Sequence, residues 1–131
     1  MTNDRNSNDQ TRATNPLKRH YDLEERTLSF AKRAIRMCKI LKPNTINRQI
    51  VSQLIRACGS VGANYREANE ALSKKDFGYR IRIARKEAKE AHYWLQLLEE
   101  AQPDMNGEAQ RLRQEALELR KILSSIAGKV S

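Results

Sequence analysis

The side chains that could do chemistry are few, and their spacing argues against a catalytic centre. The chain has two cysteines, Cys38 and Cys58, and two histidines, His20 and His92. A di-iron site in a helix bundle needs two Glu-x-x-His pairs and two further glutamates, and neither histidine follows a glutamate by three residues. No His-Glu-x-x-His, Walker-type loop, Gly-x-Gly-x-x-Gly or Gly-x-Ser-x-Gly occurs. Both cysteines fall on apolar phases of a helical pattern, where the thiolate is disfavoured. They form no Cys-x-x-Cys pair and are expected to be free buried thiols rather than a disulfide. The reading is a non-enzyme: no catalytic residue, no metal, no cofactor and no small-molecule substrate.

What remains is charge. The 131 residues carry a formal net charge of +9, with an isoelectric point near 9.9, which directs the chain to an anionic partner. Between residues 74 and 89, Lys74, Lys75, Arg80, Arg82, Arg85, Lys86 and Lys89 set seven cations against two acids, Asp76 and Glu87. A helix prefers anions at its start and cations at its end; this segment has the reverse order, with Glu90, Glu99 and Glu100 following. Lys75, Arg82, Lys86 and Lys89 share one strip away from the apolar edge. These seven are the candidate nucleic-acid-binding residues, with RNA or DNA phosphate as the ligand; an ordinary solvated lysine face is the competing reading. Membrane-surface binding is disfavoured, because no helix opposes a strongly basic face with bulky aromatics. No stretch approaches the ~20 apolar residues of a membrane span, and the first thirty residues hold no apolar signal core. A cytoplasmic location is expected.

The elements that must position these cations are helices. Residues 1–20 are polar, with too little apolar surface to offset the entropy of ordering, and read as a disordered basic tail. Asp22 and Glu25 fit a capping box, and Pro43 and Pro103 punctuate the chain. Asn44 or Asn47, and Ser73 with Asp76, supply helix starts. Helices are predicted at 22–41, 47–71, 74–101 and 107–127, in a bundle domain over 21–128, with 129–131 a disordered C-terminus. Their apolar residues recur at alternating steps of three and four. The first stripe is Leu28, Ala31, Ile35 and Cys38; the second runs from Val51 to Leu72, the third from Phe77 to Leu98, the fourth from Ala109 to Ile126. Short connections make sequential helices antiparallel. The fold class is therefore all-α, an antiparallel up-down four-helix bundle. In it the starts of helices one and three share an end, so Arg12, Lys18 and Arg19 of the tail join the basic strip there.

Helices one and three carry more apolar surface than a single bundle needs. Phe30, Met37, Ile83, Trp94 and Leu97 stand on flanks of the core stripe and are the candidate oligomer interface; a wide core stripe is the alternative. In helix two, Gly59 and Gly62 each cost about 1 kcal/mol against alanine, which points to close approach of a neighbouring backbone or to a kink.

Residues 60–101, from Ser-Val-Gly-Ala-Asn-Tyr to Leu-Leu-Glu-Glu-Ala, resemble the bacterial four-helix-bundle family of 23S rRNA intervening-sequence proteins. The marks are Ser60, Asn64 and Glu67 in helix two and Ile83, Ala84, Glu90 and Tyr93 in helix three, and the similarity extends over about 110 residues from Asp22 onward. The resemblance implies a ring-shaped homo-oligomer, typically a pentamer, with no catalytic residue. It also implies a distant relation to the accessory variability protein of diversity-generating retroelements, a basic pentamer that binds nucleic acid and partners a reverse transcriptase. Ser60, Asn64 and Glu67 share one side of helix two. With Glu90, Tyr93 or Arg80 as partners they read as a structural polar network between helices two and three rather than a ligand site. The expected function is a non-catalytic, basic, homo-oligomeric nucleic-acid-binding accessory protein, RNA before DNA, supporting an rRNA insertion or a reverse transcriptase. The alternative is a structural scaffold or protein-interaction adaptor with no nucleic-acid role.

Overall fold

Local signals in the chain set the helix boundaries. Asn44 stands in extended backbone, and its side chain accepts a hydrogen bond from the Asn47 amide at 2.8 Å. Ser73 does the same for the Asp76 amide at 3.1 Å. Each satisfies one of the amides that a helix start leaves without an internal partner. In the computed structural model, which describes residues 16–130, four helices result. They are α1 (Pro16–Lys39), α2 (Thr45–Asn69), α3 (Lys74–Ala101) and α4 (Asn106–Val130), with a single 3-10 turn at Pro103–Met105 before α4. No strand occurs among the described residues.

The ends of the bundle differ from expectation. α1 begins at Pro16, so residues 16–20, assigned by composition to the tail, are helical, and Asp22 with Glu25 lies inside the helix rather than capping it. Proline suits the first helical position, where its missing amide hydrogen costs nothing. α4 likewise continues through Val130, taking in residues 129 and 130. Residues 1–15, Arg12 among them, and Ser131 lie outside the described residues.

Among the described residues α1 neighbours α2 and α4, and α3 neighbours α2 and α4, while the α1–α3 and α2–α4 pairs sit diagonally. Arg26 pairs with Glu115 and Arg33 with Glu108. The α4 partner moves back seven residues as the α1 residue moves forward seven, so these helices run antiparallel and close an up-down-up-down bundle. Asn47 ties the end that holds two of the three connections. It is buried and donates to the Lys42 carbonyl at 2.9 Å and to Gln102 Oε1 at 3.0 Å, joining the α1–α2 and α3–α4 connections.

The stripes of α2, α3 and α4 fill the core nearly as spaced. Leu54, Val61, Tyr65, Ile81, Leu95, Leu98, Leu112, Leu119 and Leu123 are all fully buried. Leu72 is an exception: α2 ends at Asn69, and its side chain stands in solvent.

α1 is rotated from the expected orientation. Phe30 and Met37 are 1% and 3% exposed, in line with Leu23, Thr27 and Ala34, whereas Leu28 and Ile35 are 42% and 46% exposed. The supposed flank is the core and the supposed core is the flank. Phe30 and Met37 are therefore not free for a subunit contact. The helix carries two apolar series with the same 3.5-residue period, and close packing selects between them. The buried series passes through Thr27, whose hydroxyl donates to the Glu24 carbonyl at 3.1 Å and so carries no unmet polar group into the core.

Thr27 also explains one glycine. A Cβ on Gly62 would lie 2.9 Å from Thr27 Oγ1 and 3.2 Å from its Cβ, while a Cβ on Gly59 would meet nothing within 4 Å. Close approach of α1 is thus the reason for Gly62 alone. Gly59→Ala should raise the melting temperature, recovering about 1 kcal/mol of helix propensity. Gly62→Ala should lower it, because a β-branched threonine has no easy rotamer to retreat to. Thermal melts by circular dichroism decide the point, and equal rises would show that α1 yields freely.

Candidate nucleic-acid interface

α3 presents its charge on the face turned from the core. Lys74, Lys75, Arg82, Lys86 and Lys89 are exposed. Lys75, Arg82, Lys86 and Lys89 repeat at the helical spacing that aligns them along one strip. The other two expected members depart from it. Arg80 turns to α2, where its Nη1 donates to Asn64 Oδ1 at 3.2 Å, and Arg85 is half-buried. Arg80 is a structural link between helices, because this bond to Asn64 of α2 holds its guanidinium across the groove. Lys18 and Arg19 lie in the first turns of α1.

α4 adds a cation that spacing alone could not place. Arg113 grips Glu99 through two bonds, Nε to Oε2 at 2.6 Å and Nη2 to Oε1 at 3.3 Å. That pair sets the register of two antiparallel helices. Seven residues back along α3 and seven forward along α4, the same faces carry His92 and Arg120. Burial first, and then the charges of Arg113 and Arg120, hold the His92 imidazole below its ordinary value. Arg120 thus lies on α4 near His92 of α3, and no acid follows Glu118 in α4.

The expected polar network forms only in part. Asn64 Nδ2 donates to the Ser60 carbonyl of its own helix at 2.9 Å and its Oδ1 accepts from Arg80, so Asn64 and Arg80 link α2 to α3, and no side-chain bond of Ser60 across the groove is seen among the described residues. Glu67 is exposed. Glu90 serves its own helix, accepting from Trp94 Nε1 at 3.4 Å. Tyr93 is exposed and packs edge-on against Trp94, with ring centroids 5.4 Å apart. Glu67 and Tyr93 drop out because their helical phases lie past the edge of the α2–α3 groove. A second polar cluster, missed in the sequence, joins α1 to α2. Asn69 Nδ2 donates to Glu24 Oε2 at 2.8 Å, Arg66 lies 3.8 Å from Glu24 Oε1, and the buried Tyr65 hydroxyl reaches Asn69. Burial pushes that phenol up to about 12.

Of the remaining interface candidates, Trp94 and Leu97 are half-buried against the core and Ile83 is half-buried on the same flank of α3. Exposed aliphatic side chains stand instead on α1, at Leu28 and Ile35, and around the ends of α2, at Ile40, Ile46 and Leu72. Burial raises the Cys38 thiol to about 11, and burial together with the neighbouring Cys38 raises Cys58 further. Both stay protonated near neutral pH and are poor nucleophiles. Among the described residues no three His, Cys, Asp or Glu side chains converge as metal ligands. No described helix is long and apolar enough to cross a membrane.

The sequence pattern of the 23S rRNA-intervening sequence protein family matches residues 19–125. The bundle is similar to a crystal structure of a protein of unknown function from the S23 ribosomal protein family of Bacteroides thetaiotaomicron. The TM-score is 0.73 at 33% sequence identity, over 83% of this chain and 97% of that one. No curated protein matches the chain in sequence. With a family pattern spanning most of its length, the chain belongs to the family of 23S rRNA-intervening sequence proteins.

Proposed function

We propose that the protein is a non-catalytic, homo-oligomeric accessory protein that binds nucleic acid through the α3 strip. The observation that carries this reading is the alignment of Lys75, Arg82, Lys86 and Lys89, all exposed, on one strip that contains no acid. A helix gains nothing internally from cations gathered in its N-terminal half, so their use is external. RNA is placed before DNA because the family description refers to 23S rRNA. Titrating a labelled RNA at several salt concentrations tests the proposal: log K should fall steeply and linearly with log salt. Indifference to RNA at low salt would return the chain to the role of scaffold or protein-interaction adaptor.

Self-association is supported by the apolar face that α1 leaves outside the core. Leu28 and Ile35 stand two turns apart on that face, and exposed apolar surface of this kind favours a partner helix. Light scattering should give a mass several times 15.1 kDa. Leu28→Asp combined with Ile35→Asp should give a folded monomer. A wild-type protein that is monomeric at micromolar concentration would end this part of the proposal.

A further inference from the structure

The basic strip is not made of cations alone. At alternating steps of four and three, the outward face of α3 reads Lys75, Tyr79, Arg82, Lys86, Lys89, Tyr93. Tyr79 and Tyr93 are 57% and 53% exposed and stand fourteen residues apart, about 21 Å along the helix at its usual rise. Three of the cations lie between them. We infer that the ligand of this strip is single-stranded nucleic acid, its phosphates held by Arg82, Lys86 and Lys89 while Tyr79 and Tyr93 stack on unpaired bases. The inference rests on the nucleic-acid reading and narrows it to one class of ligand.

The bundle itself has little use for these two rings outside. Tyr65 and Phe30 are fully buried, so the core accepts large aromatics, yet Tyr79 and Tyr93 occupy phases that cannot reach it. Single exposed aromatics are ordinary; two that fall in register with a run of cations combine the components of a single-strand platform, a charged track and stacking faces. The rings are also partly set in place. The Arg80 guanidinium lies 6.0 Å from the Tyr79 ring, and Arg80 is itself fixed by Asn64. Tyr93 rests against Trp94, which is held by Glu90. Ordering before binding lowers the entropy lost on stacking. A duplex would meet the cations equally well but keeps its base faces covered, so only an unpaired strand gains from the tyrosines.

The test uses the full chain, a short unstructured RNA carrying a fluorophore, and the duplex that RNA forms with its complement. At one salt concentration the single strand should bind more tightly than the duplex. Tyr79→Leu and Tyr93→Leu should each lower single-strand affinity by about tenfold, the low part of the range for loss of one stacked base. They should leave the salt slope and the duplex affinity unchanged. Tyr→Phe at either position should retain wild-type affinity, since stacking needs the ring and not the hydroxyl. Equal affinity for duplex and single strand, with neutral Leu variants, would overturn the inference while leaving the phosphate-binding proposal intact. Binding to vesicles rich in anionic lipid without binding to either RNA would overturn both.

Discussion

Replacing Lys75, Arg82, Lys86 and Lys89 together with glutamine should cut RNA affinity by several hundred-fold at about 0.1 M salt. For single strands the slope of log K against log salt is about −0.7 for each phosphate neutralised, so four lost contacts remove about 2.8 from the slope, which near 0.1 M is on the order of several hundred-fold. The loss should be much the same for unrelated RNA sequences, because phosphate contacts position a ligand without reading it. Stability should move the other way, if at all. Lys75 lies in the first turn of α3, where a cation opposes the helix dipole by ~0.3–1 kcal/mol, and Arg82 and Lys86 are like charges one turn apart, which destabilises by a few tenths of a kcal/mol. The melting temperature is therefore expected to hold or rise slightly. Arg80→Gln is the contrast: it removes the bond to Asn64, so it should lower the melting temperature while leaving the salt slope unchanged. A quadruple variant that melts early and still binds would make the strip part of the architecture.

The extent to which the site could be read from sequence follows from how much of it lies on one helix. Lys75, Arg82, Lys86 and Lys89 share a helical period, and any helix over that stretch aligns them. Arg80 shows the limit of that logic, because its phase sits at the edge of the α2–α3 groove and only the position of Asn64 across it decides that the guanidinium turns inward. His92 and Arg120 meet through an antiparallel register set by the Arg113–Glu99 pair, and no periodicity within α3 or α4 contains that register. The Tyr93 assignment failed for a related reason: its spacing from Glu90 was legible, but the direction in which the groove opens was not. Among the core stripes, those of α2, α3 and α4 were readable because each helix has one dominant apolar face. α1 has two, and the deciding residue, Thr27, is polar in composition and apolar in use once its hydroxyl bonds to the preceding turn.

Phe30→Ala should bring the bundle close to unfolding, whereas Leu28→Ala should barely move its stability. Phe30 is 1% exposed and Leu28 is 42% exposed. Truncating a buried phenylalanine costs about 3–5 kcal/mol through lost transfer energy and the cavity left behind, against a total of about 5–15 kcal/mol for a domain. An exposed leucine away from such features is worth within about 0.5 kcal/mol. Had Leu28, Ala31, Ile35 and Cys38 formed the core stripe, the two substitutions would exchange their effects, so denaturant melts at low protein concentration distinguish the two rotations of α1 directly. Met37→Asp sharpens the distinction. At a subunit contact it would separate folded chains, but at a position 3% exposed it places a carboxylate where burial without a partner is costly. The expected product is an unfolded or severely destabilised chain, read as loss of the helical circular dichroism signal at room temperature. A folded monomer carrying Met37→Asp would return Phe30 and Met37 to an interface and turn Leu28 and Ile35 inward.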